Sequence, residues 1–303
     1  MRFLFGLSVL APTMLVVGCA QTGAPVDSAV ANPAPRPAPV IRSAPPPARP
    51  DFVLAGPYVQ GGIATGLVPS DTVSLTLGGK RVSFAPDGRF LVGFGRDAAA
   101  QAELVATRAD GTVVRRTLAI APRGWRIENL STLPRQTRPS AEFQRLRPDE
   151  LKQIAAARAV RSNAGGWRQK FIWPATGRIS GLFGAQRIYR GEPGAYHSGV
   201  DVARPTGAPI MAPADGVVTL AAAAPFTLEG HLLMIDHGMG LNSAFLHMSR
   251  IDVRVGDIVR QGQVLGAVGA TGRATGPHLH WGMMWEGERI DPLLIAGPMP
   301  IPD

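Results

Sequence analysis

Gly276-Pro277-His278-Leu279-His280-Trp281 decides how the C-terminal part of this chain is read. Taken as a strand, it sends both imidazoles to one face, ~7 Å apart, and turns Leu279 into a core. Strand and glycine signals of the same kind run from Trp167 to Pro292. The expectation is a mainly β chain whose last part, 171–303, is an antiparallel sheet of barrel-sandwich type.

Working outward, all six histidines fall between positions 197 and 280: His197, His231, His237, His247, His278 and His280. Random scatter would have put some in the first 190 residues, so the clustering points to a metal or proton-transfer site. In Tyr196-His197-Ser198-Gly199-Val200-Asp201-Val202 a His and an Asp stand four apart. The β-branched residues and Gly199 favour extended chain, on which such positions lie ~13 Å apart, too far to share an ion. Either the chain bends at Gly199 or His197 sits in a loop that folds back. Zinc suits imidazole and carboxylate, and catalytic sites usually supply three protein ligands and leave one position open. His197, Asp201 and one of His278 and His280 would meet that need. The other imidazole, with His247 in Phe245-Leu246-His247-Met248, is then available for proton transfer or for stabilising an oxyanion.

Upstream of this region, residues 51–122 read as a small β-sandwich-like module. Val73, Leu75 and Leu77 alternate with Ser74 and Thr76, Gly78-Gly79 turns the chain into a strand bearing Val82 and Phe84, and Pro86-Asp87-Gly88 and Asp110-Gly111 mark further turns. The module holds no His and no Cys, so spacing or binding is its expected role. Residues 123–170 form a linker with a helix, read as starting at Pro148-Asp149-Glu150 and continuing through Leu151, Ile154 and Ala155–Ala157.

Residues 1–18 are laid out as a secretory signal: Arg2, an apolar run from Phe3 to Val17, then Gly18. The one cysteine, Cys19, follows immediately, which excludes an internal disulfide. Val16-Val17-Gly18-Cys19 resembles a bacterial lipobox, which implies acylation of Cys19 and a stable membrane-surface anchor. Ala20 in place of Asp points to the outer membrane. Residues 19–50 are rich in Pro and Ala and read as an extended spacer. The net charge of +9 sits in the middle of the chain: residues 51–170 carry 18 Lys/Arg against 10 Asp/Glu, while 171–303 carry 9 against 11. A basic face attracts polyanions of any kind. No nucleic-acid motif accompanies it, and aromatics at 6% leave little for base stacking.

Five segments, in order, carry a family resemblance: Gly177–Gly184 (Gly-Arg-Ile-Ser-Gly-Leu-Phe-Gly), His197–Asp201, Ala212–Val218, Phe245–Met248 and Thr275–Trp281. Together, over about residues 171–293, they are similar to the lysostaphin/LytM-type zinc metallopeptidases. The resemblance implies that His197, Asp201 and His280 bind one zinc ion and that His247 and His278 are catalytic. It implies an endopeptidase of the cell envelope that hydrolyses peptide cross-links between peptidoglycan stem peptides, in a thin-walled bacterium those joining D-alanine to diaminopimelate. The same resemblance leaves His231 and His237 outside the ligand set, and His237 reads as structural. Two rivals compete. A non-catalytic murein-binding activator of cell-wall amidases is expected to have lost ligands, and this chain has them all. Val255–Gly266 is similar to strands of biotinyl and lipoyl domains, but these attach their cofactor to lysine and residues 171–303 contain none.

Overall fold

The computed structural model describes residues 48–132 and 140–300. The expected signal segment 1–18, the acylated Cys19 and nearly all of the 19–50 spacer lie outside the described residues. The chain is mainly β, with two sheets in its first part and an eight-stranded antiparallel sheet in its last.

In the module, β1 (Val53–Ala55), β2 (Ile63–Leu67) and β5 (Arg89–Gly93) make one antiparallel sheet. The second has the order β4-β3-β6-β7, from β3 (Thr72–Leu77), β4 (Lys80–Arg81), β6 (Gln101–Arg108) and β7 (Val113–Ala119). Their inner faces meet over Leu75, Phe90 and Leu104, all essentially inaccessible. Val73 does not join them and is 61% exposed. A register shift between Thr72 and Ser74 breaks the alternation there and turns its side chain outward. Gly78 and Gly79 take φ of 53° and 80°, the mirror-image turn that suits a two-residue hairpin. The strand that follows is shorter than the pattern suggests: pairing ends at Arg81, and Phe84 makes only an isolated bridge to Phe90.

The connector contains β8 (Ile127–Leu130) and α1 (Ala141–Ala159). The helix starts seven residues before Pro148, which lies inside it. Ser140 sets the start by accepting a hydrogen bond from Phe143 N on its Oγ, 3.1 Å away. The proline costs an intrahelical hydrogen bond, and tertiary contacts offset the loss. Arg147 forks onto both oxygens of Glu229 at 2.6 and 2.8 Å, Glu150 accepts from Thr227 N and Oγ1, and Ile154 and Ala157 enter an apolar patch with Leu232 and Met234.

The last part follows as β9 (Arg178–Gly181), β10 (Gln186–Tyr189), β11 (Glu192–Pro193), β12 (Gly199–Ala203), β13 (Pro209–Met211), β14 (Gly216–Ala221), β15 (His231–Asp236), β16 (Leu241–Met248), β17 (Arg250–Ile251), β18 (Ile258–Val259), β19 (Val264–Ala267), β20 (His278–Trp285), β21 (Glu288–Ile290) and the short α2 (Pro292–Ala296). The main sheet runs β18-β14-β15-β16-β20-β12-β9, with β21 added to β20. One face carries Leu279, Trp281 and Met283 of β20 and Phe245 of β16 into a core continuous with that of the module. At the junction Gly93 of β5 leaves room for Trp285 and Ile290, Asp291 N donates to Gly61 O, and Arg123 pairs with Asp291 at 2.9 Å. The opposite face carries His278, His280, Gly282 and Met284, and α1 lies along part of it.

Under the main sheet, His237 is wholly buried yet fully satisfied. Its Nδ1–H donates to Asp215 O at 2.8 Å, so its Nε2 is bare and accepts from Ser243 Oγ at 2.8 Å, and Ser243 Oγ in turn accepts from Trp281 Nε1. This is the structural histidine that the sequence suggested. A proton on Nε2 would face a hydroxyl with no other acceptor, and burial depresses the pKa to about 4. The depressed value means stability is complete above ~6.5, where the unfolded chain is also neutral, and is lost as pH falls toward 4. The expected loss from this residue is about 3 kcal/mol. Denaturant titrations at pH 7 and pH 4 should find His237→Gln less stable than the parent at neutral pH but less sensitive to acid. Equal acid sensitivity would exclude His237 as the source.

Candidate metal centre and active-site groove

His197 lies in the coil before β12, and the chain folds back so that its side chain meets that of Asp201. Its Nε2 is 3.0 Å from Asp201 Oδ1 and 3.0 Å from His280 Nδ1, while His280 Nδ1 is 2.9 Å from Asp201 Oδ1. The register explains the meeting: Asp201 sits directly opposite His280 where β12 and β20 pair. Two glycines make space for it. A Cβ on Gly199 would collide with Trp281 O and crowd the His280 ring, and one on Gly181 would collide with the Asp201 carboxylate.

The tautomers follow from the hydrogen bonds. His197 Nδ1–H donates to Leu182 O at 3.1 Å, so its Nε2 presents a lone pair. Burial pulls the His197 pKa down, but the hydrogen bond and charge of Asp201 outweigh it and the net shift is upward. Burial likewise acts against ionised Asp201, and the two imidazoles overcome it, holding the carboxyl far below its usual range. His280, deeper still, is depressed to about 4, by burial first. Ligand atoms of His197, Asp201 and His280, one from each, thus converge on one point, all within 4.8 Å of one another. Zinc held at ~2.0–2.1 Å from imidazole nitrogen and carboxylate oxygen requires donors of this kind, a little over ~3 Å apart. The donor set fits such an ion.

His247 and His278 stand beside this triad and outside it. Their rings are 4.9 Å apart, and His278 Nε2 is 3.7 Å from Asp201 Oδ1. His247 Nδ1–H donates to Thr271 O and His278 Nδ1–H to Gly276 O, each at 2.8 Å, which leaves both Nε2 atoms as bases. Burial lowers the His247 pKa. His247 also has φ of 61°, unusual for a residue with a side chain, and its N–H donates to Glu229 O at 2.8 Å. Strain of this sort, ~1–3 kcal/mol, persists where surrounding bonds over-determine the backbone. His231 points elsewhere, toward Ala222 O at 3.4 Å.

The five side chains line a groove of about 1550 Å³. Small-molecule pockets are usually ~300–1,000 Å³, so the groove suits an extended chain. Its floor is the sheet face, one wall is α1 with Phe143 and Ile154, and the other is formed by Leu182 and Tyr189.

A model of peptidase family M23 matches residues 195–292, which include all five side chains. A solved structure from Pseudomonas aeruginosa assigned to peptidase M23 is 30% identical, covers 79% of this chain and 94% of that one, and superposes with a TM-score of 0.60. The chain belongs to peptidase family M23. Among curated relatives, the DD-carboxypeptidase/endopeptidase Mpg of Neisseria meningitidis is 39% identical over 127 residues, 41% of this chain and 28% of that protein. The peptidoglycan DD-endopeptidase ShyA of Vibrio cholerae is 37% identical over 123 residues, 40% of this chain and 28% of that protein. This M23 chain thus matches little more than a quarter of the length of those relatives.

One residue near the site was invisible in the sequence. Arg96, between β5 and β6 of the module, is 8% exposed, lies over the rings of Trp125 and Tyr196, and donates to Gly184 O at 3.0 Å and Gln186 Oε1 at 3.1 Å. The braced segment holds His197 on both sides, through Gly184 N to His197 O and His197 N to Ala185 O, each at 2.8 Å. Nothing local marks an arginine 101 positions upstream as a support for His197. Loss of outer supports typically costs ~10–100-fold in metal affinity. Arg96→Met should therefore weaken Zn²⁺ binding by about tenfold or more in competition titrations, and should speed amide exchange at Gly184 and His197. Unchanged affinity and exchange would show that the brace is dispensable.

Proposed function

We propose that this chain is a zinc-dependent endopeptidase that hydrolyses peptide cross-links of peptidoglycan, with His197, Asp201 and His280 as metal ligands and His247 and His278 as catalytic residues. The observation that carries the reading is the convergence of three lone-pair donors beside two imidazoles whose Nε2 atoms are unbonded, all on the floor of an open groove. Membership of family M23 and the names of the Neisseria and Vibrio relatives support the substrate class. Within it, we assign the bond between D-alanine and diaminopimelate. We further propose that Cys19 is acylated, that residues 19–50 tether the catalytic part 171–303 in the periplasm, and that the outer membrane holds the anchor.

When bound, zinc supplies Lewis acidity, polarising a carbonyl and bringing the pKa of water toward ~7. The protein supplies position and proton transfer. Asp201 and the imidazoles of His197 and His280 would hold the ion on the floor of the groove. Thr271 O and Gly276 O fix the rings of His247 and His278, so that each presents Nε2 to the reacting centre. One Nε2 takes up the proton of the attacking water and passes it to the amine that leaves as the C–N bond breaks. The other ring, when protonated on Nε2 as an imidazolium, donates that N–H to the oxyanion that develops on the scissile carbonyl.

The ligand and catalytic roles separate in a metal assay. His280→Ala should lose zinc and cleavage of isolated sacculi together. His278→Ala should retain most zinc while turnover falls by ~10²-fold or more. Equal zinc loss in both would overturn the assignment within His278-Leu279-His280, and sacculi cut equally well after chelation would overturn the metal reading.

A further inference from the structure

Four arginines that line the groove make no ion pair among the described residues; Arg126 and Arg273 are exposed, whereas Arg158 and Arg289 are half-buried. On α1, the face that carries Arg147, Ile154 and Arg158 turns to the sheet. Arg147 occupies both nearby acids, Glu150 and Glu229. Arg158, one turn past Ile154, makes no ion pair among the described residues, and its Nε is buried without a hydrogen bond. Arg289 faces the same groove from β21, opposite Met284 of β20, and it too has no ion-pair partner among the described residues. The neighbouring acids are already engaged, Glu286 by Arg161 and Glu288 by Lys80. Burial, and after it the charge of Arg289, pull the Arg158 pKa down against the opposing charge of Glu229. Two like charges face one groove where solvent is partly excluded, an arrangement that costs free energy unless an anion completes it. A buried guanidinium N–H without an acceptor is a group that a ligand satisfies.

We propose that Arg158 and Arg289 form an anion subsite that takes a carboxylate of the peptide being cut. The proposal rests on the peptidase reading above. Guanidinium forks match carboxylates in shape and charge. Met284 lies four residues beyond His280 on the same strand face, ~13 Å along β20, which is about four residues of extended peptide. The subsite therefore reads a carboxylate borne a few residues from the scissile bond, and it selects acidic over amidated peptides. Its location on α1 also makes the connector helix part of the substrate site.

The test uses the full zinc-loaded chain with two probes: a synthetic cross-linked stem-peptide dimer with free carboxylates, and the same dimer with those groups amidated. Affinity by fluorescence anisotropy and kcat/KM are both measured. The acidic dimer should bind about tenfold more tightly than the amidated one. Arg158→Gln and Arg289→Gln should each remove most of that preference and leave binding of the amidated dimer unchanged. Arg158→Gln should melt no lower than the parent, since it relieves a like-charge contact. Equal affinity for the two dimers, or a preference that survives both substitutions, overturns the subsite. Cleavage without preference would do so while sparing the peptidase reading. Preferential binding without cleavage would keep the subsite and remove that reading, and absence of both binding and cleavage would remove both.

Discussion

The antiparallel pairing of β12 with β20 sets Asp201 opposite His280, and the geometry of the groove depends on that register. Side chains on a strand alternate, so a slip of one residue would bury the carboxylate and bring Val200 or Val202 to the wet face. The pairing resists such a slip because Val200, Val202, Leu279 and Trp281 are all fully buried on the other side. Apolar burial thus fixes the position of the polar groups of the site. Gly199 and Gly181 complete the arrangement by allowing backbone and carboxylate to approach where any side chain would intrude.

The site is braced from several directions. Below the sheet, the chain of hydrogen bonds from Trp281 through Ser243 and His237 to Asp215 O pins the strand bearing His278 and His280. Beside it, Glu229 serves twice: its carboxylate takes the fork of Arg147 and its carbonyl holds the strained backbone of His247. The helix is thereby linked to a proposed catalytic residue through one glutamate. From the module, Arg96 performs the same service for the loop of His197. Each brace is a charged or polar group in a partly dry setting, where a satisfied hydrogen bond is strong and an unsatisfied one is costly.

These contacts change the meaning of the two upstream segments. A spacing or binding role was the natural expectation for residues 51–122, which have no chemistry of their own. Their strands nevertheless share a core with the sheet beneath the groove, and one of their arginines supports the histidine loop. The helix of the connector forms a wall of the groove and presents Arg158 toward it.

The sequence alone determined the β class, several turns of the module, and the clustering of histidines, because these rest on local chemistry: period-two alternation, positive-φ glycines and the rarity of His outside one region. It also isolated His197, Asp201, His247, His278 and His280 as candidates, and it required that His197 bend back. The tertiary structure decided the rest. Helix α1, capped by Ser140, continues through Pro148 because contacts with Glu229 and Thr227 offset the hydrogen bond the proline loses, and Val73 faces solvent because a bulge in the pairing with β6 shifts the register. Arg96, Glu229 and the pair Arg158 and Arg289 acquire their relation to the groove only when strands and helix far apart in the chain pack together. Such partnerships leave no periodic trace, since they depend on long-range contacts and not on the residues beside them.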